Sequence, residues 1–250
     1  MSRNKTIYLD NHATTPTDQR VVDAMMPYYT EIYGNPGSRS HSLGMEARSA
    51  VERARRQVAA FVGCTPKEVV FTSGATESNN IAILGAIRSM GTNTGHIITT
   101  NIEHPSVLDP CTHLETLGWN VTRLAVNDQG LVSVGQLEAA ITPQTKLVAI
   151  MAANNEIGTV QPIAALAELC RSKGIQFHTD AAQACGKVPL NFTEFGLDTL
   201  SFSGHKIYGP KGVGALIVRR SRPKVHIAPI QFGGGQERGV RPGTLPTPLL

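Results

Sequence analysis

Two charged residues each follow a predicted apolar strand, and both could take part in chemistry. Lys206 comes after the strand predicted over 199–202 and is flanked by serine, glycine and histidine. Partial burial would lower the pKa of its amine, which could then form a Schiff base with a carbonyl compound. Asp180 follows the strand predicted over 175–179, where its carboxylate could keep a pyridine nitrogen protonated. The alternatives are a surface lysine and an aspartate that caps a helix.

A third feature is a turn that suits an anion. Residues Ser73-Gly74-Ala75-Thr76 lie between a predicted strand and a predicted helix. The free N–H groups and the positive dipole end of such a helix favour a phosphate. Ser203 and His205, beside Lys206, could donate hydrogen bonds to the same phosphate. Polar residues after strands also cap helices and close turns, so each group taken singly has a structural explanation.

Together these groups meet the requirements of pyridoxal 5'-phosphate (PLP). This cofactor needs a phosphate site, a lysine for its aldehyde and a carboxylate for its ring nitrogen. His104, near the start of another predicted helix, then becomes a candidate for stacking on the ring or for moving protons. The alternative is a histidine that faces solvent at the start of a helix. The sequence therefore predicts a PLP site where several strands end.

The residues with this chemistry lie between strands and helices that alternate along the chain. Short β-branched runs predict strands at 69–72, 96–99, 121–126, 147–151, 175–179 and 199–202. Helical patterns follow at 75–90, after Pro105 and at 163–173. This alternation predicts an α/β fold with a mostly parallel sheet flanked by helices. Ligands of such sheets bind beyond the carboxyl ends of the strands, where Lys206 and Asp180 are predicted to lie.

Before the sheet, residues 43–62 predict an amphipathic helix. Its apolar stripe consists of Leu43, Ala47, Val51, Ala54, Val58 and Phe61. Four charged residues are predicted to lie elsewhere on the helix, namely Arg48, Glu52, Arg55 and Arg56. The chain shows no internal repeat.

Length and composition exclude several classes of protein. Of the 250 residues, 41% are hydrophobic and 17% are charged, which is typical of a folded globular chain and not of a disordered one. No apolar run approaches the about 18 residues of a membrane span, and residues 1–10 lack the apolar core of a signal peptide. We therefore expect a soluble, cytoplasmic protein without a membrane partner.

The charge and the cysteines exclude two further classes of function. No aromatic residues interleave the basic run at 219–224, so nucleic acid is not an expected partner. The four cysteines form no C-x-x-C pair, and we expect buried, reduced thiols and no metal site or disulfide framework. They are Cys64, Cys111, Cys170 and Cys185.

Longer stretches of the sequence carry a specific pattern. They are YLDNHATTP at 8–16, GNPGS at 34–38, TSGATESN at 72–79, NNEIG at 154–158, DAAQ at 180–183 and SGHKIYGPKG at 203–212. This pattern continues through 233–244, covers nearly the whole chain and resembles the cysteine desulfurases of the NifS/IscS kind. That family belongs to the class V aminotransferase group of fold-type I PLP enzymes and works as a homodimer. The resemblance implies that the chain is the large PLP-binding domain of that fold.

The resemblance also implies a role for each site residue. The catalytic residues would be Lys206, which would form the Schiff base with PLP, and His104, which would stack on the ring. Asp180 would pair with the ring nitrogen. The other cofactor-binding residues would be Ala75, Thr76, Asn155, Gln183, Ser203, His205 and Thr244. Among these, Gln183 would contact the phenolic oxygen and Thr244 would reach the phosphate of the partner subunit.

In this family the substrate is L-cysteine, which is converted to alanine while its sulfur passes to a protein thiol. The thiol then supplies a sulfur acceptor or an iron-sulfur scaffold protein. Family members are longer, and their persulfide cysteine and substrate-binding arginine lie in a C-terminal part that has no counterpart up to Leu250. We therefore expect the C-terminal small domain to be missing and turnover to be incomplete. Cys185, two residues after Gln183, is the least unsuitable substitute among the four cysteines.

The same resemblance predicts how the chain is divided. Residues 1–15 are expected to form a segment that packs on the small domain, and residues 16–250 the PLP-binding domain. One alternative function is a non-catalytic PLP-binding fragment or paralogue that acts in protein interaction. Another is a different class V reaction, such as that of a selenocysteine lyase or a transaminase.

Overall fold

Seven strands form one sheet within residues 7–250, which are the residues that this computed structural model describes. They are β1 (Val69–Thr72), β2 (His96–Thr100), β3 (Asn120–Leu124), β4 (Thr145–Ala149), β5 (Gln176–Asp180), β6 (Thr199–Ser203) and β7 (Gly214–Val218). Across the sheet their order is β1-β7-β6-β5-β4-β2-β3. Only β7 runs antiparallel to its neighbours, so the predicted, mostly parallel α/β sheet is confirmed.

Helices cover both faces of the sheet. They are α1 (Gln19–Met25), α2 (Pro27–Thr30), α3 (Ser42–Val62), α4 (Ala75–Ser89), α5 (Pro105–Thr116), α6 (Val134–Ala140) and α7 (Ile163–Ser172). On β2, Ile97 packs in one cluster with residues of α4 and α5. Its neighbour Ile98 points to the opposite face and packs in the cluster that contains residues of α3, α6 and α7. The central strands are therefore buried on both sides, as expected of a parallel sheet.

Helix α3 forms where it was predicted, but two of its side chains face the opposite way. Arg55, predicted away from the apolar stripe, is only 4% exposed, because its guanidinium pairs with the buried carboxylate of Glu237. Phe61, predicted on the stripe, is 46% exposed, and its ring makes an edge contact with that of Phe202. The apolar stripe of α3 therefore includes one arginine, which tertiary contacts hold there.

Strand boundaries differ from the predictions by one or two residues. The strand predicted over 147–151 begins and ends two residues earlier, as β4, and beyond its end the N–H of Met151 donates to the carboxylate of Glu103. The strand predicted over 121–126 ends at Leu124, and the carbonyl of Ala125 instead accepts from the side chain of Gln136. Both departures lie at strand ends, where side chains replace the ladder partners.

Residues 1–6 lie outside the described residues, so only residues 7–15 of the predicted N-terminal segment are described. That this segment packs on a further domain stays a prediction. Among the helices of residues 7–250, none is long and apolar enough to cross a membrane.

Candidate active site

A cavity of about 430 Å³ lies beyond the carboxyl ends of β1, β5 and β6. The sheet topology places it there, because parallel strands end at the same edge and their following loops meet. Nine of the predicted site residues line this one cavity: Ala75, Thr76, His104, Asn155, Asp180, Gln183, Ser203, His205 and Lys206. Thr244 does not; it lies in a separate pocket with Asn35 and Gln236.

The turn before α4 presents unpaired donors to the cavity. Gly74 is the N-cap of α4, and no side chain within residues 7–250 caps the helix there. The backbone of Gly214 packs directly behind this turn, so closely that an added Cβ would lie 2.6 Å from the Cα of Gly74. Ser203 also lies beneath the turn. Free N–H groups at a helix start, held against a rigid strand, form a phosphate site.

Charges of both signs surround this turn. His205, Lys206 and Lys211 line the cavity, and burial together with the two lysine charges lowers the pKa of His205. Glu77, in the first turn of α4, accepts from the N–H of Ser73 at 2.5 Å and from Arg241 at 2.8 Å. Burial raises the pKa of Glu77, but these hydrogen bonds outweigh it and hold the pKa below its usual value. Arg241 thus neutralises the acidic charge nearest the phosphate site.

Lys206 is half-buried at the end of β6, as its sequence position suggested. Burial is the main cause that lowers the pKa of its amine, against the attraction of Asp180. The amine donates to the carbonyl of His12 at 2.9 Å. The side chain of Gln183 donates to the same carbonyl at 2.8 Å, so the N-terminal segment crosses the mouth of the site.

Asp180 forms the floor of the cavity and is 5% exposed. One carboxylate oxygen accepts from the N–H of Ala182 at 2.8 Å, and the other from the side-chain amide of Asn79 at 2.7 Å. The carboxylate therefore caps the turn that follows β5 and also faces the cavity. Among the described residues no helix lies between β5 and β6, so the alternative that Asp180 caps a helix is wrong.

His104 is the N-cap of α5. Its Nδ1 accepts from the N–H of Ser106 at 3.1 Å, and the hydroxyl of Ser106 lies 2.8 Å from the same nitrogen. The imidazole is exposed to the cavity and fixed by the start of a helix. A capping role and a place in the site thus occur together at His104.

Sequence reasoning missed three buried polar residues behind the cavity: Asn79, Ser106 and His178. Asn79 lies on the buried face of α4, next to Ile81 and Ala82. The sequence does contain a signal for Asn79: it is a polar residue on an otherwise apolar helix face. Such a group must find a hydrogen-bond partner in the core. The identity of the partners could not be read from the sequence.

None of the four cysteines lines the cavity. Burial raises the pKa of Cys64, Cys111 and Cys170 to about 12 in each case. Burial also raises the pKa of Cys185, the least unsuitable candidate from the sequence, and the charge of Asp180 adds to the effect. Since the thiolate is the nucleophile, these environments oppose sulfur chemistry at all four positions.

Comparison with known proteins identifies the family. The aminotransferase class V model matches residues 7–244. The chain belongs to this family. It is 58% identical over 248 residues to a mitochondrial cysteine desulfurase of Drosophila melanogaster, covering 99% of this chain and 54% of that one. It is 54% identical to the cysteine desulfurase IscS of Rickettsia felis, covering 99% and 60% of the two chains.

Solved structures agree with the family assignment. A structure of SspA in complex with cysteine matches with a TM-score of 0.94 at 45% identity, covering 98% of this chain and 70% of that one. The fold is that of fold-type I PLP enzymes, and the class V relatives are PLP-dependent. The chain spans about half the length of the curated relatives it matches.

Proposed function

We propose that the cavity binds PLP and that the protein acts as a cysteine desulfurase. The observation that carries the proposal is the convergence of an uncapped helix start, a half-buried lysine and a buried carboxylate on one cavity. These groups match the phosphate, the aldehyde and the ring nitrogen of PLP. The cysteine desulfurase relatives and the cysteine-bound structure of SspA favour L-cysteine as the substrate.

Each residue has a defined task in this proposal. When bound, PLP would supply an electron sink for bonds at the α-carbon of the substrate. Thr76, Ser203 and His205, with the N–H groups of α4, would hold the phosphate. Asp180 would keep the ring nitrogen protonated. These residues lie on the first turn of a helix or at strand ends, which are rigid supports for such contacts.

The groups around the ring would have other tasks. Lys206 would give its amine to the cofactor, and its lowered pKa increases the fraction of nucleophilic free amine. His104 would lie over the ring and carry protons to and from the substrate. Gln183 would donate to the phenolic oxygen, with Ala75 and Asn155 completing the wall of the cavity. To do so, Gln183 and Lys206 would exchange their contacts with the His12 carbonyl for contacts with the cofactor.

The sulfur acceptor is a separate question. All four thiols lie outside the cavity and have raised pKa values, so we propose that none of them takes sulfur from L-cysteine. A thiol from another segment or protein would have to enter the cavity for multiple turnovers. A homodimer, an iron-sulfur scaffold as acceptor and a cytoplasmic location are further proposals that rest on family resemblance. The mitochondrial relative from Drosophila shows that location varies within the family.

The test is covalent loading of the chain with PLP. After borohydride reduction, peptide mapping should place the cofactor on Lys206, and Lys206→Ala should abolish this product. Lys211→Ala is the matched control, because Lys211 lines the same cavity and its loss should leave the link in place. A link that persisted in Lys206→Ala would refute the assignment. Alanine formation from L-cysteine with an added thiol acceptor then separates a desulfurase from a non-catalytic PLP-binding protein.

A further inference from the structure

A chain of buried hydrogen bonds connects Asp180 with His104, and Asn79 is at its centre. The Nδ2 of Asn79 donates to the Asp180 carboxylate at 2.7 Å and to the Ser106 hydroxyl at 2.8 Å. Ser106 lies 2.8 Å from Nδ1 of His104. Asn79 has no exposed surface and Ser106 is 6% exposed. The carboxylate and the imidazole that face the cavity are thus joined through two buried residues.

The partners of Asn79 on its two sides determine the orientation of its amide. Its Oδ1 accepts from the Ser201 hydroxyl and lies 3.0 Å from Nε2 of His178. Burial lowers the pKa of His178 to about 3, so its ring is neutral and either ring nitrogen can carry the single proton. A flipped amide would set its oxygen against the Asp180 carboxylate, which can only accept hydrogen bonds. Both N–H groups of Asn79 must therefore face Asp180 and Ser106.

This orientation sets the direction of the remaining bonds. The Ser106 oxygen accepts from Asn79, so its single proton is free to point to Nδ1 of His104. The backbone N–H of Ser106 donates to the same nitrogen at 3.1 Å. With two donors aimed at it, Nδ1 cannot carry a proton in the neutral ring, and Nε2 must.

We propose that Asn79 is a positioning residue which, through Ser106, holds neutral His104 in the tautomer with its proton on Nε2. Among the described residues Nε2 has no hydrogen-bond partner, so it is the ring nitrogen available to a ligand in the cavity. In the neutral ring, Nε2 donates its proton to that ligand before it can accept one. The functional meaning of this tautomer rests on the proposed function, but the tautomer itself does not.

The test is ¹⁵N NMR of histidine-labelled protein without cofactor, at a pH where the imidazole is neutral. The His104 signals are assigned by their loss in His104→Gln. In the unmodified chain, Nδ1 should be unprotonated and Nε2 protonated. In Asn79→Asp the new carboxyl group shares a proton with Asp180, and its oxygen in the place of Nδ2 accepts the Ser106 proton. Nδ1 of His104 then loses that donor, and the ratio of Nε2–H to Nδ1–H forms should fall roughly fivefold, the equivalent of one hydrogen bond.

Variants at two other positions show whether the effect is specific to this hydrogen-bond chain. Asn80→Asp makes the same change at the next position of α4, where the amide donates only to the carbonyl of Thr76, and should leave the tautomer ratio unchanged. Ser106→Ala should lower the ratio as Asn79→Asp does, and Ser106→Thr, which keeps a hydroxyl, should restore it. If Asn79→Asp does not fold, the comparison of Ser106→Ala with Ser106→Thr still tests the proposal.

An Nδ1–H tautomer in the unmodified chain would overturn the proposal. So would a ratio that is the same in Ser106→Ala as in the unmodified chain. Because no cofactor is present, neither result depends on whether PLP binds. A failure of PLP to load would instead count against the proposed function and leave the tautomer assignment standing.

Discussion

At the scale of single residues, the raised pKa values of the thiols predict that the cysteines react slowly. A thiol with a pKa of about 12 has little thiolate at pH 8, so Cys64, Cys111 and Cys170 should each react ~100-fold or more slowly with iodoacetamide than free cysteine does. Burial and the charge of Asp180 also raise the pKa of Cys185, which should react slowly as well. Intact mass spectrometry after timed alkylation of the folded chain measures this.

The same chain in urea is the control, since all four thiols should then alkylate at the rate of an ordinary cysteine. A native thiol that reacted as fast as free cysteine would contradict the prediction and would become the first candidate for a sulfur-carrying residue. Cys185→Ser should leave alanine formation with an added acceptor unchanged, because Cys185 is not in the cavity.

The sequence was most informative about residues at strand ends. Lys206 and Asp180 could be found because an apolar run followed by a charged residue marks the edge of a sheet. Asn79 and His178 could not be given partners, because 99 residues separate them along the chain and only the packing of α4 on β5 brings them together. A buried polar residue can thus be recognised from the sequence, but its partner cannot.

At the scale of elements, one buried ion pair holds the 236–239 turn against α3 and β1. The guanidinium of Arg55 donates to both carboxylate oxygens of Glu237, at 2.8 and 2.6 Å. It also donates to the carbonyl of Val69 and lies 4.8 Å from the ring centre of Phe71. Glu237 in turn accepts from the N–H of Phe71 and has a positive φ of 46°, which a non-glycine residue adopts only when its surroundings enforce it.

Glu237→Gln should therefore destabilise the fold strongly. The substitution removes the buried partner of the Arg55 charge and leaves only the half-exposed Glu52 beside it. Removing one partner of a buried ion pair typically costs about 3–5 kcal/mol. Glu115→Gln is the matched control, because its partner Arg123 is about one-third exposed and such pairs contribute at most about 1 kcal/mol. Urea unfolding followed by circular dichroism compares the two. Equal losses of unfolding free energy in both variants would show that the buried pair has no special role.

The Arg55–Glu237 pair also explains why the sequence predicts helix α3 correctly but not which of its side chains are buried. The periodicity of α3 correctly predicts a helix over 43–62, because apolar residues recur at helical spacing. The sequence places Arg55 on the polar part of the helix, because its charge is the only local information about whether it is buried. Its partner lies 182 residues later, in a turn whose backbone conformation no local pattern predicts.

At the scale of the whole molecule, Thr244 is the site residue that the cavity does not contain. It is exposed and lies in a pocket beside Asn35 and Gln236, away from the cavity of its own chain. Arg241, three residues earlier, pairs with Glu77 at the phosphate turn. If Thr244 completes the phosphate site of a second subunit, the protein holds its cofactor fully only as a dimer.

Mixed dimers test this arrangement. Thr244→Ala alone should weaken PLP retention, although the cavity of that subunit is unchanged, and Lys206→Ala alone should lose the covalent link. In a dimer of one Thr244→Ala and one Lys206→Ala subunit, the first subunit keeps Lys206 and receives Thr244 from the second, so one site is complete. Differently tagged subunits, purified together, should then retain about one cofactor per dimer by absorbance. The mixed dimer could instead retain no more PLP than the Thr244→Ala homodimer, or the cofactor-loaded protein could sediment as a monomer. Either result would show that each chain forms its site alone.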